Sequence, residues 1–151
     1  AKPFLHTEIG MNSRLDEVQA AALRIKLRHI KDDIAGRQKV AAEYTKRLAN
    51  SYVKTPPLPK NGTHVFNLYT IRVPKRDVVR QALTDAQIGT SQCYPQGLHL
   101  QEVYKHLQYK PGSLPVCEQS CTETLSLPMY PGMPLAHIER VCEVLLGALR
   151  G

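Results

Sequence analysis

Tryptophan is absent from this chain of 151 residues, and phenylalanine occurs only twice. Phenylalanine and tryptophan thus offer little to stack on nucleic-acid bases, and the seven tyrosines are spread along the chain. The lysines and arginines behind the formal charge of +7 are scattered rather than clustered. Nucleic acid is therefore not the expected partner, and a solvated basic surface is the simpler reading. No apolar run approaches the roughly 20 residues of a membrane span, and no basic-then-apolar leader is visible. The expectation is a cytoplasmic protein with no membrane partner. The four cysteines, Cys93, Cys117, Cys121 and Cys142, include no CxxC pair. Cys142 also falls on an apolar helical stripe, so buried, reduced structural thiols are favoured over a zinc site. The sequon Asn61-Gly62-Thr63 carries little weight without an export signal. Also missing are a GxSxG elbow, an HExxH helix, a GK[ST] phosphate loop and a Gly-rich dinucleotide fingerprint. No self-sufficient active site emerges, and neither a catalytic residue nor a metal site is assigned.

What remains is an ordinary globular composition, with 42% hydrophobic and 22% charged residues. A chain of this length forms one domain and buries about two thirds of its unfolded surface. Ser13 reads as an N-cap with Asp16 three residues on, and the spacing predicts a helix over Arg14 to Ile34. That helix carries two apolar stripes. Leu15, Val18, Ala22 and Ile25 form one; Ala20, Leu23, Leu27, Ile30 and Ile34 form the other. They lie roughly 130° apart, so two partners are needed: the helix's own domain, and another domain or subunit. Gly36 is expected to break or bend the helix before a second one over Arg37 to Asn50.

The Pro-rich stretch TPPLPKNGT is the clearest boundary. It separates interface and linker helices (1–55) from a small C-terminal α/β unit (56–151). Beyond it, HVFNLYTIRV reads as a strand over Val65 to Val73. KRDVVRQALTDAQ reads as a helix, and IGTSQCY as a short second strand. LHLQEVYKHL and SLPVCEQSCTET read as short helices, the latter with Pro115 in its first turn. LSLPMYPGM is extended, and the last helix starts near Pro134. The fold class is α+β: a two-layer arrangement in which helices cover a small sheet of a few strands, preceded by a long interface helix.

Three stretches invite a functional reading. At Gly10, Asn12 and Arg14 a loop opens a helix, where backbone N–H groups and the helix dipole favour an anion. The simpler alternative is a plain capped helix. In QCYPQGLHLQ, the residues Cys93, Tyr94 and His99 lie between a strand and a helix, and Pro95 holds Tyr94 extended. The alternative there is a packed loop with a hydrogen-bonded His99. The prolines of LSLPMYPGM suit a rigid structural stretch better than a site.

Four stretches, GMNSRLDEVQAAALRIKLRHI, HVFNLYTIRV, YPQGLHLQEVY and CEQSCTETLSLPMYPGM, occur in an order that resembles the C-terminal part of the DegT/DnrJ/StrS aminotransferases. These are pyridoxal-phosphate enzymes of the aspartate-aminotransferase fold that aminate nucleotide-linked keto-sugars. The resemblance spans nearly the whole chain. It implies that the Gly-x-Asn-x-Arg segment opens a helix at a homodimer interface. Asn12 and Arg14 would then serve a cofactor phosphate held by the neighbouring subunit. It implies a substrate-pocket role for Tyr94 and His99, with Cys93 standing where the family usually has His. The family's Schiff-base lysine, its pyridine-pairing Asp and its stacking aromatic belong to a cofactor domain upstream of these motifs. The expectation is that this chain alone binds no pyridoxal phosphate and does not transaminate. The other reading kept open is a free-standing ligand-binding or oligomerisation module derived from that domain.

Overall fold

The computed structural model describes residues 5–10 and 13–150. Its first helix, α1 (Glu17–Leu27), is capped by the extended Asp16 rather than by Ser13. The single helix expected over Arg14 to Ile34 is in fact two. The N–H groups of Arg28 and His29 reach back only three residues, to Ile25 and Lys26, and this tightened turn ends α1. The second helix, α2, runs over Ile30–Leu48. It passes through Gly36 without a break. A Cβ at Gly36 would sit 3.1 Å from the Pro131 Cβ and 3.2 Å from its Cα, so this glycine serves a close helix–loop approach.

α2 turns Val40, Ala41, Tyr44 and Leu48 into the core, a spacing that keeps all four on one helical face. Polar contacts from α2 then fix the sheet against it. Arg37 Nη1 donates to the carbonyls of Phe66, Asn67 and Met129 at 3.1–3.2 Å. The Tyr44 hydroxyl donates to the Pro128 carbonyl at 3.0 Å, and its ring stacks on Tyr69 at 5.0 Å.

The sheet pairs β1 (Tyr69–Arg72) with β2 (Thr124–Leu127) antiparallel, with Tyr69 opposite Leu127 and Ile71 opposite Leu125. Single bridges widen it at both edges, Lys54 to Arg72 and Ser91 to Ser126. The strand expected from Val65 begins four residues later. Phe66 stands in the left-handed region (φ 48°), its N–H bonded to His64 Nδ1 at 2.9 Å and its ring stacked on that imidazole. That kink ends the ladder. The second strand expected in IGTSQCY is reduced to the Ser91 bridge, and β2 comes instead from the stretch read only as extended.

Two helices close the core. α3 (Arg76–Asp85) buries Val79 and Leu83, and α5 (Leu135–Arg150) buries Ile138, Val141, Cys142 and Leu145. They pack against Tyr69, Ile71, Leu125 and Leu127 on one face of the sheet. Each fully buried Leu, Ile or Val contributes about 1.5–3 kcal/mol. The sheet's other face, with Thr70 and Ser126, looks toward α4 (Pro115–Glu123) and the loop after Ser91. The mixed helices and small sheet make an α+β unit. α1 stands apart, with no buried residue. Neither of its stripes is covered: Leu15, Val18, Leu23, Ile25 and Leu27 are all exposed. No helix among the described residues is long and apolar enough to cross a membrane.

Candidate functional site

The period-2 alternation of the sheet sets the floor of a cleft. Tyr69, Ile71, Leu125 and Leu127 point into the core, so Thr70 and Ser126 point the other way. Their hydroxyls bond each other across the ladder at 2.8 Å. Leu68, two residues before Thr70, continues this face. α4 supplies one wall through Cys117, Ser120 and Cys121, spaced three and four residues apart on one helical side. The loop after Ser91 supplies the other through Gln92, Cys93, Tyr94, Gly97 and Leu98. The enclosed space is about 420 Å³, within the range of roughly 300–1,000 Å³ usual for small-molecule sites.

The loop wall is anchored from behind. His99, in a short 3-10 turn (Leu98–Leu100), is buried and does not line the cleft. Its Nε2 lies 3.1 Å from Glu118 Oε1, and its ring meets Tyr109 edge-on at 5.9 Å. The Glu118 carboxylate also accepts the N–H groups of Gly112 (2.8 and 3.0 Å) and Leu114 (3.1 Å). These bonds favour the ionised form, first Gly112, then Leu114, then His99, and hold the carboxyl below its ordinary range. Gly97 is needed here for space. A Cβ would stand 2.6 Å from the His99 Cε1 and 3.2 Å from the Cys117 Sγ, which neither ring nor wall can absorb. The other wall is pinned by Arg76, whose buried Nη1 donates to the Thr124 carbonyl at 3.1 Å while its Nε engages Asp77 at 2.7 Å.

The thiols divide by position. Cys121 is buried, and burial followed by the neighbouring Cys117 pushes its thiol up. Cys142 lies in the core, where burial pushes it up to about 11. Cys93 is half-buried, and Cys117 is exposed at the rim, contrary to the expectation that all four are buried. Cys117 sits in the first turns of α4, facing Gly97 across the cleft and keeping an exposed side.

Of the residues singled out from sequence, the structure brings Cys93 and Tyr94 together in the cleft and leaves His99 behind its wall. Arg14 is exposed ahead of α1 and does not line the cleft. Asn12 lies outside the described residues. Thr70, Ser120 and Ser126 were missed, because each looks like an ordinary strand or helix hydroxyl until the sheet and α4 are placed together. The alternation in LYTIR was the available signal. As to a cofactor, every described lysine is exposed, and none lines the cleft. A Schiff-base lysine needs desolvation or a cationic neighbour to attack at neutral pH. The described residues therefore do not by themselves fit pyridoxal phosphate.

The geometry defines a small α+β unit that offers a ligand-sized cleft on one sheet face and an uncovered helix at one end. The chain belongs to the DegT/DnrJ/EryC1/StrS aminotransferase family, whose model matches residues 1–146. It is 45% identical to a "pleiotropic regulatory protein" of Geobacillus stearothermophilus, over 95% of this chain and 40% of that one. It is 38% identical to the dTDP-3-amino-3,6-dideoxy-alpha-D-galactopyranose transaminase of Aneurinibacillus thermoaerophilus, over 90% of this chain and 37% of that one. The fold matches that of S. venezuelae DesV, solved with a ketimine intermediate, at a TM-score of 0.85 and 35% identity, covering 99% of this chain and 41% of DesV. The chain thus spans about 40% of the length of the curated relatives it matches.

Proposed function

We propose that these residues are the small-domain part of a pyridoxal-phosphate-dependent nucleotide-sugar aminotransferase and do not transaminate when tested alone. The observation that carries this reading is the near-complete match of the chain to about two fifths of a sugar transaminase. The exposure of every described lysine supports the second half of it. In this reading Cys93 and Tyr94 touch the sugar-nucleotide, and His99 acts through Glu118 to hold the wall that presents them. Asn12 and Arg14 serve a cofactor phosphate across a dimer interface built on residues 14–34. Pyridoxal phosphate, when held by the assembled enzyme, supplies the electron sink for amino transfer.

The test is to mix the purified 151-residue chain with pyridoxal phosphate and an amino donor, and follow the visible spectrum. No absorbance change dependent on one particular lysine is expected. A change abolished by a single lysine substitution would overturn the claim of inactivity.

A second reading, an oligomerisation module, draws on the uncovered stripes of α1, because contiguous exposed apolar residues mark interaction surfaces when the patch is large. Both readings predict self-association through α1. They part on ligand binding: the module reading needs none, whereas the aminotransferase reading requires the cleft to bind part of a sugar-nucleotide.

A further inference from the structure

Three of the four cysteines line the cleft, and two of them share one helix side. Cys117 and Cys121 stand four residues apart in α4, which sets their Cβ atoms about 5–6 Å apart. The Cys121 thiol is hydrogen-bonded to that of Cys117. Cys117 is exposed and Cys121 buried, so a reagent meets the outer thiol first and finds the second beside it. Gly97 faces the pair. Its missing Cβ, which would stand 3.2 Å from the Cys117 Sγ, leaves that sulfur room. No harder ligand accompanies the two thiols, because no Asp, Glu, Lys, Arg or His among the described residues lines the cleft. The Glu118 carboxylate is already engaged by Gly112, Leu114 and His99. Among the described residues no group of three His, Cys, Asp or Glu could hold a metal ion, so Cys93 on the opposite wall does not complete a set. The four-ligand site that structural zinc demands is thus not built from these residues. Nor does the spacing suit a direct S–S bond, which wants Cβ atoms about 3.5–4.5 Å apart. Closing that gap would distort α4, which is tied along its length. The Ser120 and Thr124 hydroxyls donate to the carbonyls of Val116 and Ser120 at 2.8 Å, and the Gln92 amide donates to the Cys121 carbonyl at 3.1 Å. A single atom placed between the sulfurs spans them without moving the helix.

We infer that Cys117 and Cys121 form a dithiol site for a soft, thiophilic centre that bonds two thiolates at once, either a Cu(I) ion or a trivalent organoarsenical. Thiolate sulfur selects such centres over harder cations. Neither capture is a redox step. A Cu(I) ion forms two Cu–S bonds and displaces both thiol protons to water. An arsenical of the form R–As=O forms two As–S bonds, and its oxygen leaves with both protons as one water molecule. The site stands independently of which ligand the cleft takes.

The experiment titrates the reduced full chain with phenylarsine oxide and reads the adduct by intact mass and by the thiols left open to iodoacetamide. One equivalent is expected to bind and to leave two fewer thiols open than in the free chain. Dithiothreitol should release it, and the same thiol concentration of mercaptoethanol should not. Cys117→Ser changes an exposed position, where folding is not at stake. It should weaken the adduct about a hundredfold, because the second bond otherwise forms within one chain at high effective concentration. Cys93→Ser should bind as tightly as the unaltered chain. A tight adduct that survives Cys117→Ser, or one that is lost in Cys93→Ser, would overturn the pairing. An anaerobic Cu(I) titration against bicinchoninate separates the two sources. Cu(I) retained by the unaltered chain and lost from Cys117→Ser would support the cation as occupant; a tight arsenical adduct without Cu(I) retention would support the arsenical alone. Zinc held one to one and lost in Cys117→Ser would overturn the two-ligand argument. A Cys117–Cys121 disulfide formed quantitatively in a glutathione buffer would overturn the argument from spacing.

Discussion

α1 and α5 carry the same kind of message in sequence, apolar residues recurring at three- and four-residue steps. α5 buries its stripe, with Leu145 at 0% exposure, whereas α1 buries nothing and leaves Val18 82% exposed. The difference is not in hydrophobic content but in what lies opposite. α5 faces α2, α3 and the sheet; α1 faces nothing within the described chain. Amphipathic periodicity therefore announces that a partner exists without saying where it is. For α5 the partner is intramolecular. For α1 no covering surface lies among the described residues, which is why another chain or domain is the partner proposed above.

Substitutions can break this contrast, and the largest effect belongs to the buried side. Leu145→Ala should destabilise the fold by about 2–5 kcal/mol, through lost transfer energy and a residual cavity, as measured by urea unfolding. A cost as small as that of a surface change would mean α5 is not the core helix described. Next comes the crossing of α2 over Pro131. Gly36→Val should cost about 1–3 kcal/mol by overpacking, seen as a lowered denaturant midpoint with an unchanged slope.

On the α1 side, Val18→Ser should leave unfolding of the isolated chain within about 0.5 kcal/mol. It should nevertheless shift self-association toward monomer in light scattering. A large stability loss with no change in association would place the partner of α1 inside the chain. The smallest effect is electrostatic. Glu118 has its carboxyl lowered in the folded state, so its contribution is present above the ordinary glutamate range and is lost as pH falls through the lowered value. Acid titration followed at the Gly112 and Leu114 amides should show their local protection fading only below that range. Glu118→Gln should flatten this dependence while leaving the α5 core untouched.

Much of this was legible from residues alone. The stripe on α5, the helix at Pro115 and the irregular loop that carries Cys93 and Tyr94 each follow from spacing or from a proline. The break after Leu27 was not legible, because the spacing continues through Arg28 and His29 and only the three-residue hydrogen bonds reveal it. Gly36 was misread for a related reason: glycine signals permissiveness, and the structure uses it for proximity to Pro131. His99 was readable as either a ligand group or a packed residue. Its burial and its bond to Glu118, nineteen residues away, fit the packed alternative.

Sequence by itself determined the α+β class, the family and an apolar helix near residue 20 that calls for a partner, because periodicity and motif order are properties of the chain taken one segment at a time; that neither stripe is covered within the described chain came from the structure. Tertiary structure alone decided that a sheet face, a helix side and a loop share one uncharged cleft. Its floor, walls and missing charges come from Leu68, Thr70, Cys93, Ser120 and Ser126, residues far apart along the chain. Which of their donors are already engaged depends on backbone carbonyls that only folding brings within reach.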